Sequence, residues 1–327
     1  MDYKEAKLRF EQLFLGKMDD EDARTLLIDM ARRGENADEI AAAAEVMRNH
    51  SVKLPISDDL RNKLIDNCGT GGDRSGSFNI SSTVSLLLAG AGCYVAKHGN
   101  RSITSRSGSA DMLEHLGIRL DLLLQQQVRM LEETGFTFIF AIHHHPAMKF
   151  IMPIRKSINH RTIFNILGPL SNPADVRKQL IGVFDISFIK KVAEALKKLG
   201  TTSAMIVSSK DGLDEISISD ISEAVILKDG KLKTLTIDPL EFGIKRGRLD
   251  EIKGGDAALN ATITKGILEG EIDGAKRDIV LINAAAALMV DGQARDFQDG
   301  LEIAKETIDS GRAKEALKKI VKVSNSL

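Results

Sequence analysis

After Pro55 the chain alternates short β-prone runs with stretches of helical periodicity. LIDNCG, CYVAKHG, FTFIFAI, QLIGVF and SAMIVSS are separated by segments such as Val84 to Ala91 and Phe188 to Leu199. Such alternation predicts an α/β sheet with crossover helices. One hairpin interrupts the pattern: AVILKDGKLKTLTI turns at Asp229 and Gly230, a dipeptide suited to the positive φ angles of a type I′ turn. The expected sheet is therefore mixed. From Asp256 onward the pattern is helical, with Ile279, Ile282, Ala286 and Met289 at helical intervals and a basic final helix ending near Val323.

Residues 1 to 50 read as amphipathic helices only. Phe10, Leu13 and Phe14 share a face, and Ala23, Leu26, Leu27 and Met30 keep the i, i+3, i+4, i+7 spacing. Asp19, Asp20 and Glu21 suit the positive end of a helix, and Asn36 with Glu39 forms a capping box, so three helices are predicted.

Charge and composition remove several function classes. Lys and Arg total 45 against 46 Asp and Glu, so the formal charge is -1, and bulk positive charge cannot coat nucleic acid. With aromatics at 4% and no Trp, a platform for stacking bases is weakly supported. Cys68 and Cys93 belong to no C-x-x-C pair, which leaves too few ligands for a structural zinc and predicts reducing surroundings. The longest apolar run, around Val84 to Ala91, is far short of the roughly 18 residues a membrane span needs, so a cytosolic protein is expected.

The most informative stretch is Asp66 to Leu86, DNCGTGGDRSGSFNISSTVSL, where a strand ends in a glycine cluster and a Ser/Thr-rich turn opens a helix. Glycines permit positive φ and close backbone approach, and a helix N-terminus offers unpaired N–H donors, so the geometry suits a phosphate. The spacing is neither that of Walker A nor of the dinucleotide G-x-G-x-x-G fingerprint. A second polar cluster, Lys97 to Arg101 followed by Ser102 to Ser109, sits beyond the strand CYVA, at the sheet edge where open α/β folds bind ligands. Lys97 can act there as a point charge on a phosphate, whereas Arg101 and Arg106 can equally be solvated surface.

Two further groups invite chemistry. Asp214-Glu215 lies between SAMIVSSKDG and the alternating ISIS. An adjacent acidic pair in a loop is usually solvated charge, but Mg²⁺ favours one or two carboxylates with waters and substrate phosphates, which a nearby phosphate site would supply. His143, His144 and His145 suggest a metal site, yet alternate residues of an extended strand face opposite sides and cannot converge on one ion.

GTGGD at 69–73, NISS at 79–82, KHGNR at 97–101 and SGSADMLEHLG at 107–117 resemble, in order and spacing, the anthranilate phosphoribosyltransferases of tryptophan biosynthesis. The resemblance continues through HPAMKFIMPIR at 145–155, RTIFNILGPLSNPA at 161–174, GLDEIS at 212–217 and GGDAALNA at 254–261, nearly the whole chain. It implies a nucleoside phosphorylase/phosphoribosyltransferase-like fold: a helical small domain over 1–62, joined by part of 150–180, and a larger α/β domain over 63–327 with a mixed central sheet. It also implies phosphoribosyl pyrophosphate (PRPP) and anthranilate as substrates, two Mg²⁺ ions, and a homodimer formed through the small domains.

By the same resemblance, Gly69, Thr70, Gly71, Gly72 and Asp73 hold the pyrophosphate, and Asn79, Ser81, Ser82, Lys97 and Ser109 surround the ribosyl phosphates. Ser81, Asp214 and Glu215 take the metal. Gly69, His98, Asn100, His145, Arg155 and Pro169 line the anthranilate route. The chain departs from the family pattern at Ser82, where Thr is usual, and between ARTLLIDMARRG and NADEIAAA, where the family has a further helix. The implied reaction transfers the phosphoribosyl group to an amine that is already a nucleophile, so no Ser or Cys nucleophile is required. Two rival readings share the architecture: a pyrimidine nucleoside phosphorylase using free phosphate, and an inactive paralogue that grips nucleic acid in a basic groove.

Overall fold

The structure, a computed structural model, describes residues 1–73, 75–101 and 107–327. Helices α1 (Tyr3–Phe14), α2 (Asp20–Arg33), α3 (Ala37–Asn49) and the short α4 (Asp58–Arg61) precede the sheet. Then follow β1 (Leu64–Gly69), α5 (Ile80–Gly90), β2 (Tyr94–Gly99), α6 (Ser109–His115), α7 (Leu124–Thr134) and β3 (Phe136–Phe140). The chain continues through α8 (Ala141–His144), α9 (Met148–Lys156), α10 (Phe164–Leu170), β4 (Lys178–Gly182), α11 (Ile189–Lys198) and β5 (Ser203–Ser209). The hairpin β6 (Ser222–Lys228) and β7 (Lys231–Ile237) leads to α12 (Ala257–Leu268), α13 (Ala275–Asp291), α14 (Phe297–Asp309) and α15 (Arg312–Ser326).

Local chemistry explains most of these boundaries. Asn36 and Glu39 close their capping box, and Asp19 accepts from the Glu21 amide at 2.9 Å to start α2. Asp229 and Gly230 take φ of 51° and 71°, the left-handed pair a type I′ turn needs. Three expectations are corrected, the first at β4, where the expected strand QLIGVF ends at Gly182, two residues early. The strand FTFIFAI stops at Phe140, because the His145 amide donates to the Ala141 carbonyl at 3.1 Å and winds 141–144 into a helical turn. The last helix runs to Ser326, held by Asn325, whose amide donates to the carbonyls of Gly117 and Val321 at 2.8 Å. Helices α9 and α10 carry Pro153 and Pro169 inside them, which obscures their periodicity in the sequence.

The sheet order is β3-β2-β1-β4-β5-β6-β7, with the first five strands parallel and β6 and β7 antiparallel. The chain leaves β1 toward β2 on one side and returns as β4 on the other. A topological switch point therefore falls between β1 and β4, where loops after the two strands diverge and leave a crevice. On one face, α5 and α12 to α15 pack around α13, whose segment Ile279 to Leu288 is buried throughout, as expected of a helix enclosed by neighbours. On the other face, α1 to α3, α9, α10 and α11 share one apolar cluster with Ile181, Val183, Ala204, Ile206 and Val225 of the sheet region. Segments 147–170 thus pack with the N-terminal helices although far from them in sequence.

Candidate functional site

The switch-point crevice is floored by two glycines. Gly69 and Gly182 are register partners at the ends of β1 and β4. Over them passes the 212–216 loop: a Cβ on Gly69 would lie 2.2 Å from Asp214 Oδ2, and one on Gly182 would lie 1.6 Å from the Asp214 carbonyl oxygen. No side chain fits at either position. Asp214 then accepts a hydrogen bond from the Gly71 amide at 2.6 Å. Gly71 and Gly72 have φ of 70° and 80°, which turns their backbone out of β geometry. Thr70 ties the loop to β4, its amide donating to the Gly182 carbonyl at 2.9 Å and its hydroxyl accepting from the Phe184 amide at 3.2 Å. Asp73 accepts from the Ser75 amide at 3.2 Å.

The acidic groups here are crowded. Burial and the neighbouring charge of Asp73 push the Asp214 carboxyl up to about 7. Burial and the Asp214 charge likewise hold the Glu215 carboxyl well above the usual carboxylate range, against the pull of Lys97. Asp66 is also raised by burial while Lys97 lowers it; it accepts from the Asn172 side chain at 2.9 Å and from the His98 amide at 3.3 Å. Lys97 itself is 1% exposed and donates to the Asn67 carbonyl at 2.9 Å, with the Ser81 hydroxyl at 3.5 Å. It stands beneath the start of α5 as a buried charge among carboxylates.

Hydroxyls and amides line the same end. Asn79 precedes α5 and its Oδ1 accepts from Asn260 of α12 at 2.8 Å and from the Ser107 hydroxyl at 3.2 Å. Ser81 is partly exposed, whereas Ser82 is buried in the first turn of α5. Ser109 opens α6 and donates to the Asn100 carbonyl at 3.2 Å. Asn100 is exposed and its Oδ1 accepts from the Arg101 amide at 2.8 Å. Arg101 is shared by Asp111 and Glu114 at 2.9 and 2.7 Å, a surface ion-pair cluster. Arg74, 102–105 and Arg106 lie outside the described residues.

The consecutive histidines separate. His143 is exposed beside the Phe140 ring, His144 donates through Nδ1 to the Val52 carbonyl at 2.7 Å, and His145 turns to His98. Their divergence follows from the helical turn at 141–144 and not from the strand alternation expected of them. His98 and His145 are both buried, with Nε2 atoms 3.2 Å apart. Burial lowers His98 to about 4 and His145 to about 3. His98 Nδ1 donates to the Gly168 carbonyl at 3.0 Å, which brings it beside Pro169 in α10. Arg155, on α9, has its guanidinium 5.4 Å from the Phe164 ring centre and no acidic partner among the described residues; burial lowers its pKa.

A metal would find hard oxygen donors here. The charge of Asp73 raises Asp214, those of Asp214 and Asp73 raise Glu215, and Ser81 adds a hydroxyl nearby. No group of three His, Cys, Asp or Glu among the described residues is arranged to enclose an ion by itself. That combination fits Mg²⁺, which takes one or two carboxylates and completes its shell with water and phosphate oxygens. The residues a sequence pattern did not single out are Gly182, Asn172, Phe184 and Arg161. Gly182 left a signal, a glycine ending an apolar strand, and Arg161 and Asn172 fall within the motif RTIFNILGPLSNPA without being singled out there.

The sequence profile of the glycosyl transferase family, a/b domain, matches residues 61–314. The chain is 45% identical over 325 residues, 99% of its length and 92% of the relative's, to anthranilate phosphoribosyltransferase of Xanthobacter autotrophicus. It is similar in structure to the anthranilate phosphoribosyltransferase of Thermus thermophilus, with a TM-score of 0.92 and 36% identity over 99% of this chain and 96% of that one. The Saccharomyces cerevisiae enzyme solved with PRPP and Mg superposes with a TM-score of 0.87 at 26% identity, covering 100% of this chain and 94% of that one.

Proposed function

The chain belongs to the anthranilate phosphoribosyltransferase family, and on that premise we propose that its switch-point crevice transfers the 5-phosphoribosyl group of PRPP to the amine of anthranilate. The products are pyrophosphate and N-(5-phosphoribosyl)anthranilate. The observation that carries the reading is the Asp214 carboxylate laid over the paired glycines Gly69 and Gly182 and bonded to the Gly71 amide. It joins an acidic pair to an amide-bearing loop at the edge where such sheets take ligands.

During transfer the C1–O bond to pyrophosphate breaks, its electron pair leaving with the oxygen, while the amine nitrogen bonds to C1 from the other side and then releases one of its N–H protons to water. The chain's task is to orient the two substrates and to stabilise the charge gathering on the leaving group. The amide of Gly72, that of Gly71 once released from Asp214, the hydroxyls of Thr70 and Ser81 and the charge of Lys97 suit that task; Asn79, Ser82 and Ser109 shape the phosphate end. Asp214 and Glu215, with Ser81, would hold Mg²⁺, which when bound neutralises pyrophosphate oxygens; two ions are our reading. Asn100, His98, His145, Arg155 and Pro169 are assigned to the anthranilate side, supported by an Arg155 guanidinium that has no acidic partner among the described residues.

We assign residues 1–62 with part of 150–180 to a small helical domain and 63–327 to the catalytic α/β domain, and read the active form as a homodimer. Leu8 of α1, 62% exposed, supports a covering partner there. No helix among the described residues is long and apolar enough to cross a membrane, and both cysteines are free, which supports a cytosolic setting. Neither a nucleoside phosphorylase nor a nucleic-acid-binding paralogue is favoured by the family match. The reaction is tested by mixing protein, anthranilate, PRPP and Mg²⁺ and following loss of anthranilate fluorescence; no turnover over a range of pH and Mg²⁺ would reject it.

A further inference from the structure

Arg161 lies on the segment between α9 and α10, outside the sheet, yet its side chain reaches the glycine loop. Its Nη2 donates to the Gly72 carbonyl, and its Cζ stands 3.9 Å from the centre of the Phe184 ring. Among the described residues it has no carboxylate partner. Its position is not accidental looseness. Thr162 and Ile163 are buried directly after it, the Thr162 amide donates to Asn165 at 2.9 Å, and the Arg161 carbonyl accepts from His160 Nδ1 at 2.8 Å. Phe184, the shelf beneath the guanidinium, is fixed to the same loop through the Thr70 hydroxyl.

A planar cation is therefore held beside the loop, with one N–H spent on a neutral carbonyl and four of about five donors left over. The ring beneath it contributes attraction but no countercharge. Gly72, with φ of 80°, carries no Cβ; one placed there would sit 3.4 Å from Nη2 and narrow the gap between loop and guanidinium. An anion with paired oxygens seated at the Gly72 amide would lie next to this fork. Phosphate oxygens are stronger acceptors for a guanidinium than a peptide carbonyl, and the planar fork can bond two of them at once.

We infer that Arg161 binds the diphosphate leaving group, exchanging the Gly72 carbonyl for non-bridging pyrophosphate oxygens when the loop is occupied. This rests on the reading of 69–73 as the pyrophosphate loop. As the C1–O bond breaks, the electron pair stays on the departing pyrophosphate and Arg161 balances that charge; no proton moves to or from the guanidinium.

The test is titration calorimetry of Mg-pyrophosphate with the full chain, together with steady-state kinetics in each substrate. Arg161→Ala should weaken pyrophosphate binding roughly 10- to 100-fold, the loss of a charge-assisted bond pair, and raise KM for PRPP while KM for anthranilate stays nearly constant. Arg161→Lys should recover only part, because the ammonium lacks the fork. Arg161→Gln, which keeps part of the stem and N–H donors without charge, covers the case in which the alanine variant does not fold, and should weaken binding similarly. Parental pyrophosphate affinity in Arg161→Ala or Arg161→Gln overturns the inference. Gly71→Val separates the two readings: if it loses pyrophosphate while the Arg161 variants keep it, only the inference on Arg161 fails. If all of them keep it, the loop reading falls as well.

Discussion

The imidazoles of His98 and His145 meet Nε2 to Nε2 at 3.2 Å, and the Gly168 carbonyl decides which of them donates. A carbonyl only accepts, so His98 carries its proton on Nδ1, and a neutral His98 must then accept at Nε2. His145 donates from Nε2, and its buried Nδ1 is left as a lone pair with no partner among the described residues. The two tautomers are fixed by one backbone oxygen in α10.

Burial keeps both rings neutral, with folded values of about 4 and about 3 against about 6.5 for a free imidazole. The unfolded chain therefore binds protons between these limits that the folded chain refuses. Stability from this pair is complete above about pH 6.5 and is lost as pH falls toward 4 and 3. Thermal midpoints measured from pH 7 to 4.5 should drop more steeply in the parent than in His145→Phe, which keeps a ring but cannot titrate. An unchanged slope would remove the pair from the acid sensitivity.

Gly182 meets backbone, not a movable side chain, so Gly182→Ala has no simple accommodation. The 212–216 loop must lift, at a cost of about 1–3 kcal/mol or more from overpacking, and the Asp214 bond to Gly71 goes with it. Denaturant unfolding and fluorescence turnover should both fall. Gly76→Ala is the control: φ there is 68° but no heavy atom of the described residues lies within 4 Å of the added carbon, so it should cost about 1 kcal/mol from backbone strain.

Replacing Asp214 by Asn and Glu215 by Gln keeps volume and removes the negative charge over the loop. Turnover should fall steeply and the Mg²⁺ needed for half-maximal rate should rise. Parental rate and parental metal dependence in the double variant would dismiss the acidic pair as the metal site.

Arg155 has no acidic partner among the described residues, so a substrate carboxylate would be its first full countercharge. Loss of a charge-assisted bond worth about 1.5 to 3 kcal/mol should lower kcat/KM for anthranilate roughly 10- to 150-fold in Arg155→Ala. Arg155→Lys should restore it only in part. A selective rise in KM for PRPP, with anthranilate saturation unaltered, would move Arg155 to the phosphate end.

Periodicity and punctuation alone determined the strands LIDNCG, CYVAKHG and SAMIVSS, the start of β4, the hairpin at Asp229 and Gly230, the capped N-terminal helices and the glycine turn before α5. Each is written by neighbours a few residues apart, because φ preferences, caps and alternation act locally. The ends of β3 and the proline-bearing helices α9 and α10 escaped, since there tertiary packing overrides local preference. Only the folded sheet brought Asp214 over Gly69 and Gly182, buried Lys97 among Asp66 and Glu215, set His98 against His145, and laid Arg161 on Phe184 beside Gly72. These contacts depend on β4 returning to the far side of β1, a strand order that no local pattern specifies. Residue types fixed what chemistry was available; the switch point fixed which of them could act on the same few ångströms of space.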